Sequence, residues 1–266
     1  MPATSTTSAP AHPPAPPKTR AAASRAVLKT EARLFLRDPG SLFWILVFPT
    51  LLLTILGLIP SFREANPSLG GRRTIDLYVP VALLLAAITT GIQVMPAVLT
   101  GYRERGILRR MSTTPVRPVA LLGAQIALHG GATVVSMALA LTVGRLAFGV
   151  ALPGQLAGYV LAAVLTLCSA LALGCLLCAL SPTTKAASVA GSAVFFPMMF
   201  AAGVWAPVQS MSDTLQQIVQ LLPFGAASQA LAQASSGHWP TWSHLAVLAV
   251  WTLVVGTVAR HRFRWE

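Results

Sequence analysis

Six apolar runs, at 42–59, 77–100, 119–143, 158–180, 186–204 and 244–258, limit what this chain can fold into. A helix rising about 1.5 Å per residue needs about 20 apolar residues to cross a hydrocarbon core, within a range of roughly 17–25. Five runs meet that length. The last is short, and Arg260 at one end and Trp242 at the other can extend it by reaching for the two interfaces. In lipid each backbone polar group must be satisfied inside its own segment, so runs of this kind fold as helices. Composition agrees, with 55% hydrophobic and only 10% charged residues. The expected fold class is an all-α polytopic membrane protein with six transmembrane helices.

The net charge is +12, yet the basic residues cluster at the ends of apolar runs and do not spread over one face. That pattern fits membrane topology better than a nucleic-acid surface, and no nucleic-acid partner is expected. With the N-terminus inside, fifteen of the nineteen Lys and Arg residues fall on cytoplasmic segments, and only Arg63, Arg72, Arg73 and Arg145 lie outside. The positive-inside rule therefore predicts a multi-pass protein of the cell membrane with both termini cytoplasmic.

Around the spans, residues 1–22 are mostly Pro, Ala, Ser and Thr, without an apolar period, and read as a disordered cytoplasmic tail. Residues 23–38 wheel as an amphipathic interfacial helix. Arg25, Lys29, Arg33 and Arg37 form one stripe, and Val27, Leu28, Leu34 and Phe35 share the opposite side. Glu31 projects from the middle of that apolar face, where an unpaired carboxylate is costly, so a basic partner on the docking loop or on another protein is expected for it. Pro39 and Gly40 end this helix. The six-span domain covers 42–259, and 260–266 is a cytoplasmic C-terminal tail. Between spans five and six, Leu215, Ile218, Val219 and Leu222 mark one short extracellular helix, and 226–235 marks a second, ending at Gly237. Small residues recur every fourth position at Gly123, Ala127 and Gly131, at Ala170, Gly174 and Cys178, and at Ala187 and Gly191. That spacing lets helices approach closely in lipid.

The segment 101–118, GYRERGILRRMSTTPVRP, joins the second and third spans. Its arginines are Arg103, Arg105, Arg109, Arg110 and Arg117, while Ile107, Leu108 and Met111 share one apolar stripe at helical spacing. Residues 102–111 thus read as a short amphipathic helix at the cytoplasmic mouth, on which a partner docks. The charges alone also suit a loop that only fixes topology.

Catalytic material is sparse. The seven acidic residues all lie outside the deep parts of the spans, and His129 is the one deep titratable side chain. No phosphate-binding G-x-x-x-x-G-K-[ST] loop is present, because Lys18, Lys29 and Lys185 all lack the preceding Gly. Energy for uphill transport would have to enter from another protein, and no cofactor, metal or catalytic residue is expected on this chain. Cys168, Cys175 and Cys178 share one apolar run and read as small packing residues.

Several features in order resemble the permease subunits of ABC-2 type transporters, particularly the small bacterial drug and natural-product exporters. They are the interfacial helix leading into Phe43, Trp44 and Phe48-Pro49; Glu104-Arg105-Gly106 with Leu108 and then Thr114-Pro115-Val116; Phe196-Pro197 with Gly203 and Pro207; and Leu222-Pro223 before an outer helix. The resemblance implies a dimer of permeases and a separate cytosolic ABC ATPase that carries ATP and Mg and grips the loop between spans two and three. On this reading the docking residues are Glu31, Arg103, Glu104, Arg105, Gly106, Ile107, Leu108, Arg109, Arg110 and Met111. Arg109 stands where that family often has a second Glu, which alters or reverses one charge contact. The implied activity is efflux of a drug, antibiotic or lipid-like amphiphile, as in antibiotic resistance. Phe195, Phe196, Met198 and Met199 suit such a cargo and suit lipid-facing filler equally. A polytopic enzyme or assembly factor acting on lipids is the competing reading.

Overall fold

The structure is a computed structural model that describes residues 17–69, 71–107, 110 and 118–262. Its helices are α1 (Pro17–Leu36), α2 (Pro39–Leu58), α3 (Thr74–Glu104), α4 (Pro118–Phe148), α5 (Leu156–Leu180), α6 (Thr184–Ala201), α7 (Asp213–Gln220), α8 (Pro223–Ser235) and α9 (Trp242–Arg262). Among the described residues, 5 helices, α2, α3, α4, α5 and α9, are long and apolar enough to cross a membrane. The run 244–258, short by sequence, gains that length because α9 continues as helix from Trp242 to Arg262. The run 186–204 forms α6, an 18-residue helix that opens on the polar pair Thr184-Lys185 and is not among those five.

α3 is the axis of the bundle. Of its apolar window 83% is buried, against 22 to 44% for the other four long helices, and α2, α4, α5, α6 and α8 pack around it while α9 packs on α5 and α8. Close approach depends on missing side chains. A Cβ on Gly91 would lie 2.2 Å from the Ala170 carbonyl oxygen, and one on Gly174 would lie 2.2 Å from the Gly91 oxygen. The small residues of α5 therefore seat it directly on the backbone of α3. Gly191 brings α6 close as well, with its Cβ position 2.8 Å from Ile92 O. By contrast Gly123 and Gly131 of α4 meet nothing within 4 Å, and that stripe faces away from this chain.

Two long helices change pitch where proline follows. Phe43–Val47 in α2 and Thr89–Val94 in α3 are π-helical, just before Pro49 and Pro96. Proline lacks the N–H that would close the preceding turn, and the widened turn absorbs the mismatch. Pro39 also does more than end α1. Asp38 Oδ1 accepts from the N–H of Gly40 at 3.1 Å and Ser41 at 3.3 Å, with Pro39 in the first turn, so this residue pair starts α2.

α1 begins at Pro17, upstream of the expected start at 23. It packs along α4, and its inward stripe is Val27, Glu31 and Phe35, while Leu28 and Leu34 stay exposed. The basic stripe Arg25, Lys29, Arg33 and Arg37 is exposed, as its spacing predicts. α7 carries Val219 inward. α8 is wedged among α3, α5 and α9, with Phe224, Ala226, Ala227 and Ala230 fully buried.

Candidate functional site

The last turn of α3 and the Arg105 that follows it carry four consecutive side chains, those of the helix each rotated about 100° from the one before. Tyr102, Arg103, Glu104 and Arg105 therefore leave the helix in four directions and meet different elements. Tyr102 points at α1 and α4. Its hydroxyl donates to Glu31 Oε2 at 2.7 Å, and Gln125 Nε2 of α4 donates to the same oxygen at 2.6 Å. Glu31 is only 8% exposed. Among the described residues two neutral donors meet Glu31, because α1 turns it inward onto α3 and α4. Hydrogen bonds to a charged acceptor are about twice as strong as neutral ones, and they compensate a carboxylate taken out of water.

Arg103 takes the neighbouring direction. Its Nη1 donates to the carbonyls of Cys178 at 3.0 Å and Ser181 at 2.8 Å, satisfying groups that α5 leaves open at its C-terminus. Glu104 accepts from the Thr184 N–H at 2.9 Å and from its hydroxyl at 2.6 Å, so it caps α6 from another helix. The cap suits a carboxylate, since the helix N-terminus presents free N–H groups and positive potential. Arg105 folds back, with Nε donating to Gly101 O at 3.0 Å and its guanidinium 5.6 Å from the centre of the Tyr102 ring.

α3 does not restart as a separate helix at Tyr102. The span itself continues to Glu104 and breaks at Arg105-Gly106, where Gly106 takes φ 65°, the left-handed region open to glycine. The separation expected between span and docking helix thus falls after residue 104. Ile107 then packs with Tyr102 and Leu121, and Arg110 Nη2 donates to Arg105 O at 3.0 Å. Leu108, Arg109 and Met111 lie outside the described residues.

Behind Glu31 the polar line continues along one face of α4. His129 Nδ1 lies 2.9 Å from Gln125 O, and the Thr133 hydroxyl donates to Thr90 of α3 at 2.9 Å. The His129 ring meets Phe35 edge-on at 5.3 Å. A cavity of about 620 Å³ lies beside this cluster between α2, α3 and α6, lined by Trp44, Thr89, Gln93, Ala97, Arg105 and Phe195. Phe195 alone of the four residues expected on a substrate path lines it. Phe196 is 58% exposed, Met199 is buried, and Met198 packs on the main core. Among the described residues no three His, Cys, Asp or Glu side chains come together as a metal site.

Gln125, Ser181 and Thr184 are absent from the sequence-derived set. Gln125 carried a signal, being a polar residue in an apolar run that shares a face with His129 and Thr133. Thr184 carried another, because Thr183-Thr184 after Ser181-Pro182 is a helix-start pattern.

The family model described as ABC-2 type transporter matches residues 23–234, from within α1 to the end of α8. No curated protein matches the chain.

Proposed function

The chain belongs to the ABC-2 type transporter family, and from that premise we propose that it is the permease subunit of an exporter driven by a separate cytosolic ABC ATPase. The observation that carries this reading is the fastening of the last turn of α3 to α1, α4, α5 and α6 at once, through Tyr102, Arg103 and Glu104. A force applied just beyond Gly106 would be felt by every one of those helices. The ATPase then docks on the segment 107–111, with Ile107, Leu108 and Met111 in an apolar groove and Arg105, Arg109 and Arg110 orienting it. Glu31 and Glu104 act from behind, holding the docking segment to the bundle.

In this reading α6 is the sixth span, both termini are cytoplasmic, and the permease works as a dimer in the cell membrane. The cavity bounded by Trp44, Gln93 and Phe195 receives a hydrophobic or amphipathic cargo, since its walls mix aromatic surface with a few polar groups. ATP and Mg reside on the partner. ATP can move the spans only if the ATPase holds the docking segment differently in its two nucleotide states.

Co-reconstitution with the partner ATPase in proteoliposomes tests this. Leu108→Ala should remove an anchor worth about 2 kcal/mol if Leu108 is a binding hot spot, leaving membrane insertion intact while uncoupling ATP hydrolysis from efflux. Arg109→Gln should instead weaken assembly in a salt-dependent way. A Leu108→Ala protein that binds its ATPase and exports normally would reduce the loop to a topology signal.

A further inference from the structure

α3 and α4 each run from the Glu31 cluster to the opposite end of the bundle, and there Arg63, Arg73 and Arg145 meet at the turn 148–150. Arg63 lays its guanidinium over the Phe148 ring, 5.5 Å from its centre. Arg73 donates to Phe148 O at 3.1 Å and Gly149 O at 3.4 Å, and Arg145 reaches Val150 O at 3.5 Å. Arg73 also binds Asp76, with Nη2 2.6 Å from Oδ1. The hydrogen bonds with Asp76 outweigh the cost of burial and raise the pKa of the Arg73 guanidinium. Asp76 is thereby neutralised. Arg72 beside it is exposed, and its guanidinium has no hydrogen bond or ion pair among the described residues.

These residues border a crevice of about 390 Å³ between the start of α3, the end of α4, the start of α5 and the end of α8. Arg72, Arg73 and Asp76 are its charged lining, and Pro80, Leu141 and Val150 supply apolar wall. Tyr159 also lines it, is 3% exposed, and its hydroxyl has no hydrogen-bond partner among the described residues. Buried hydroxyls are nearly always paired. A buried donor in the wall, a guanidinium on the lining and a net positive charge are the features of an anion-binding site. The apolar wall and a volume far larger than one oxyanion add a hydrocarbon portion to that anion.

We propose that this crevice binds the phosphate group of an amphiphile, with Arg72 and the Tyr159 hydroxyl as donors and the apolar portion against Pro80, Leu141 and Val150. Phosphate can arrive on a phospholipid of the surrounding leaflet or free from water, and the two sources are separable by experiment.

The full chain, purified in a neutral detergent, would be titrated with dioleoylphosphatidylglycerol, with dioleoylphosphatidylcholine and with inorganic phosphate, reading binding by native mass spectrometry and thermal shift. The anionic lipid should bind saturably and more tightly than the zwitterionic one, whose ammonium offsets the charge beside Arg72. Arg72→Gln should weaken it about tenfold or more, the loss of one charge-assisted hydrogen bond. Tyr159→Phe, which keeps the ring and so the packing, should weaken it severalfold. Arg145→Gln, in the same cluster but outside the crevice lining, should bind as the parent does. Competition by inorganic phosphate would identify a water-accessible anion site, and its failure to compete would identify a lipid site. Equal affinity for the two lipids, unchanged binding in Arg72→Gln or Tyr159→Phe, or an equal loss in Arg145→Gln would overturn the proposal.

Discussion

Glu31 illustrates how much one side chain's direction decides. On an exposed face it would be a charge offered to a partner, whereas here it is an internal acceptor shared by Tyr102 and Gln125. Tyr102→Phe keeps the ring and removes one of the two donors, and should cost about 1–3 kcal/mol, visible as a lowered Tm of the detergent-solubilised chain. Glu31→Gln added to it should cost less than the sum of the single changes, because both act on one hydrogen-bond network. Additive losses would mean that the two residues do not share a bond. Gly91 makes the same point about space. Gly91→Ala places a methyl 2.2 Å from a backbone oxygen that cannot rotate away, so it should destabilise by about 1–3 kcal/mol or prevent assembly of α3 on α5. Gly123→Ala meets nothing within 4 Å and should leave Tm unchanged, which makes it the matched control.

Among the elements, α6 depends on α3 for its beginning. Thr183 supplies a local cap through its hydroxyl, which accepts from the Ala186 N–H at 3.1 Å, and Glu104 adds a second from across the chain. Glu104→Gln keeps the size of the side chain and removes its charge. Hydrogen exchange in the first turn of α6 should then accelerate while exchange in the middle of α3 stays as it was. Unchanged exchange at 184–187 would show that Thr183 alone suffices and that α3 and α6 are not linked there. α3 is likewise continuous up to Glu104, and among the described residues it breaks at Arg105-Gly106. A proline or an alanine at Gly106 would bear on that joint, because φ 65° is closed to one and strained for the other.

For the whole molecule the distribution of arginines makes one claim about orientation. A cysteine introduced at Ser235, at the end of α8, should react with an impermeant maleimide from outside intact cells, and one at Ser112 only after the membrane is opened. Labelling of Ser112→Cys from outside would reverse the proposed topology. The sequence by itself determined that the chain is a multi-pass all-helical membrane protein, because long apolar runs have only one way to satisfy their backbone in lipid. It located the glycines that seat α5 and α6 on α3 and the basic stripe of α1, since each depends on a period along one helix. It could not say that Leu28 and Leu34 stay exposed while Glu31 turns inward, that Gly123 and Gly131 face away from this chain, or that Tyr102, Gln125, Ser181 and Thr184 converge on one helix end. Nor did Arg63, Arg73 and Arg145 show by their spacing that they meet at a single turn. Those outcomes were decided by the tertiary structure, because a helical period fixes which residues share a face and only the packing of one helix on another fixes what that face meets.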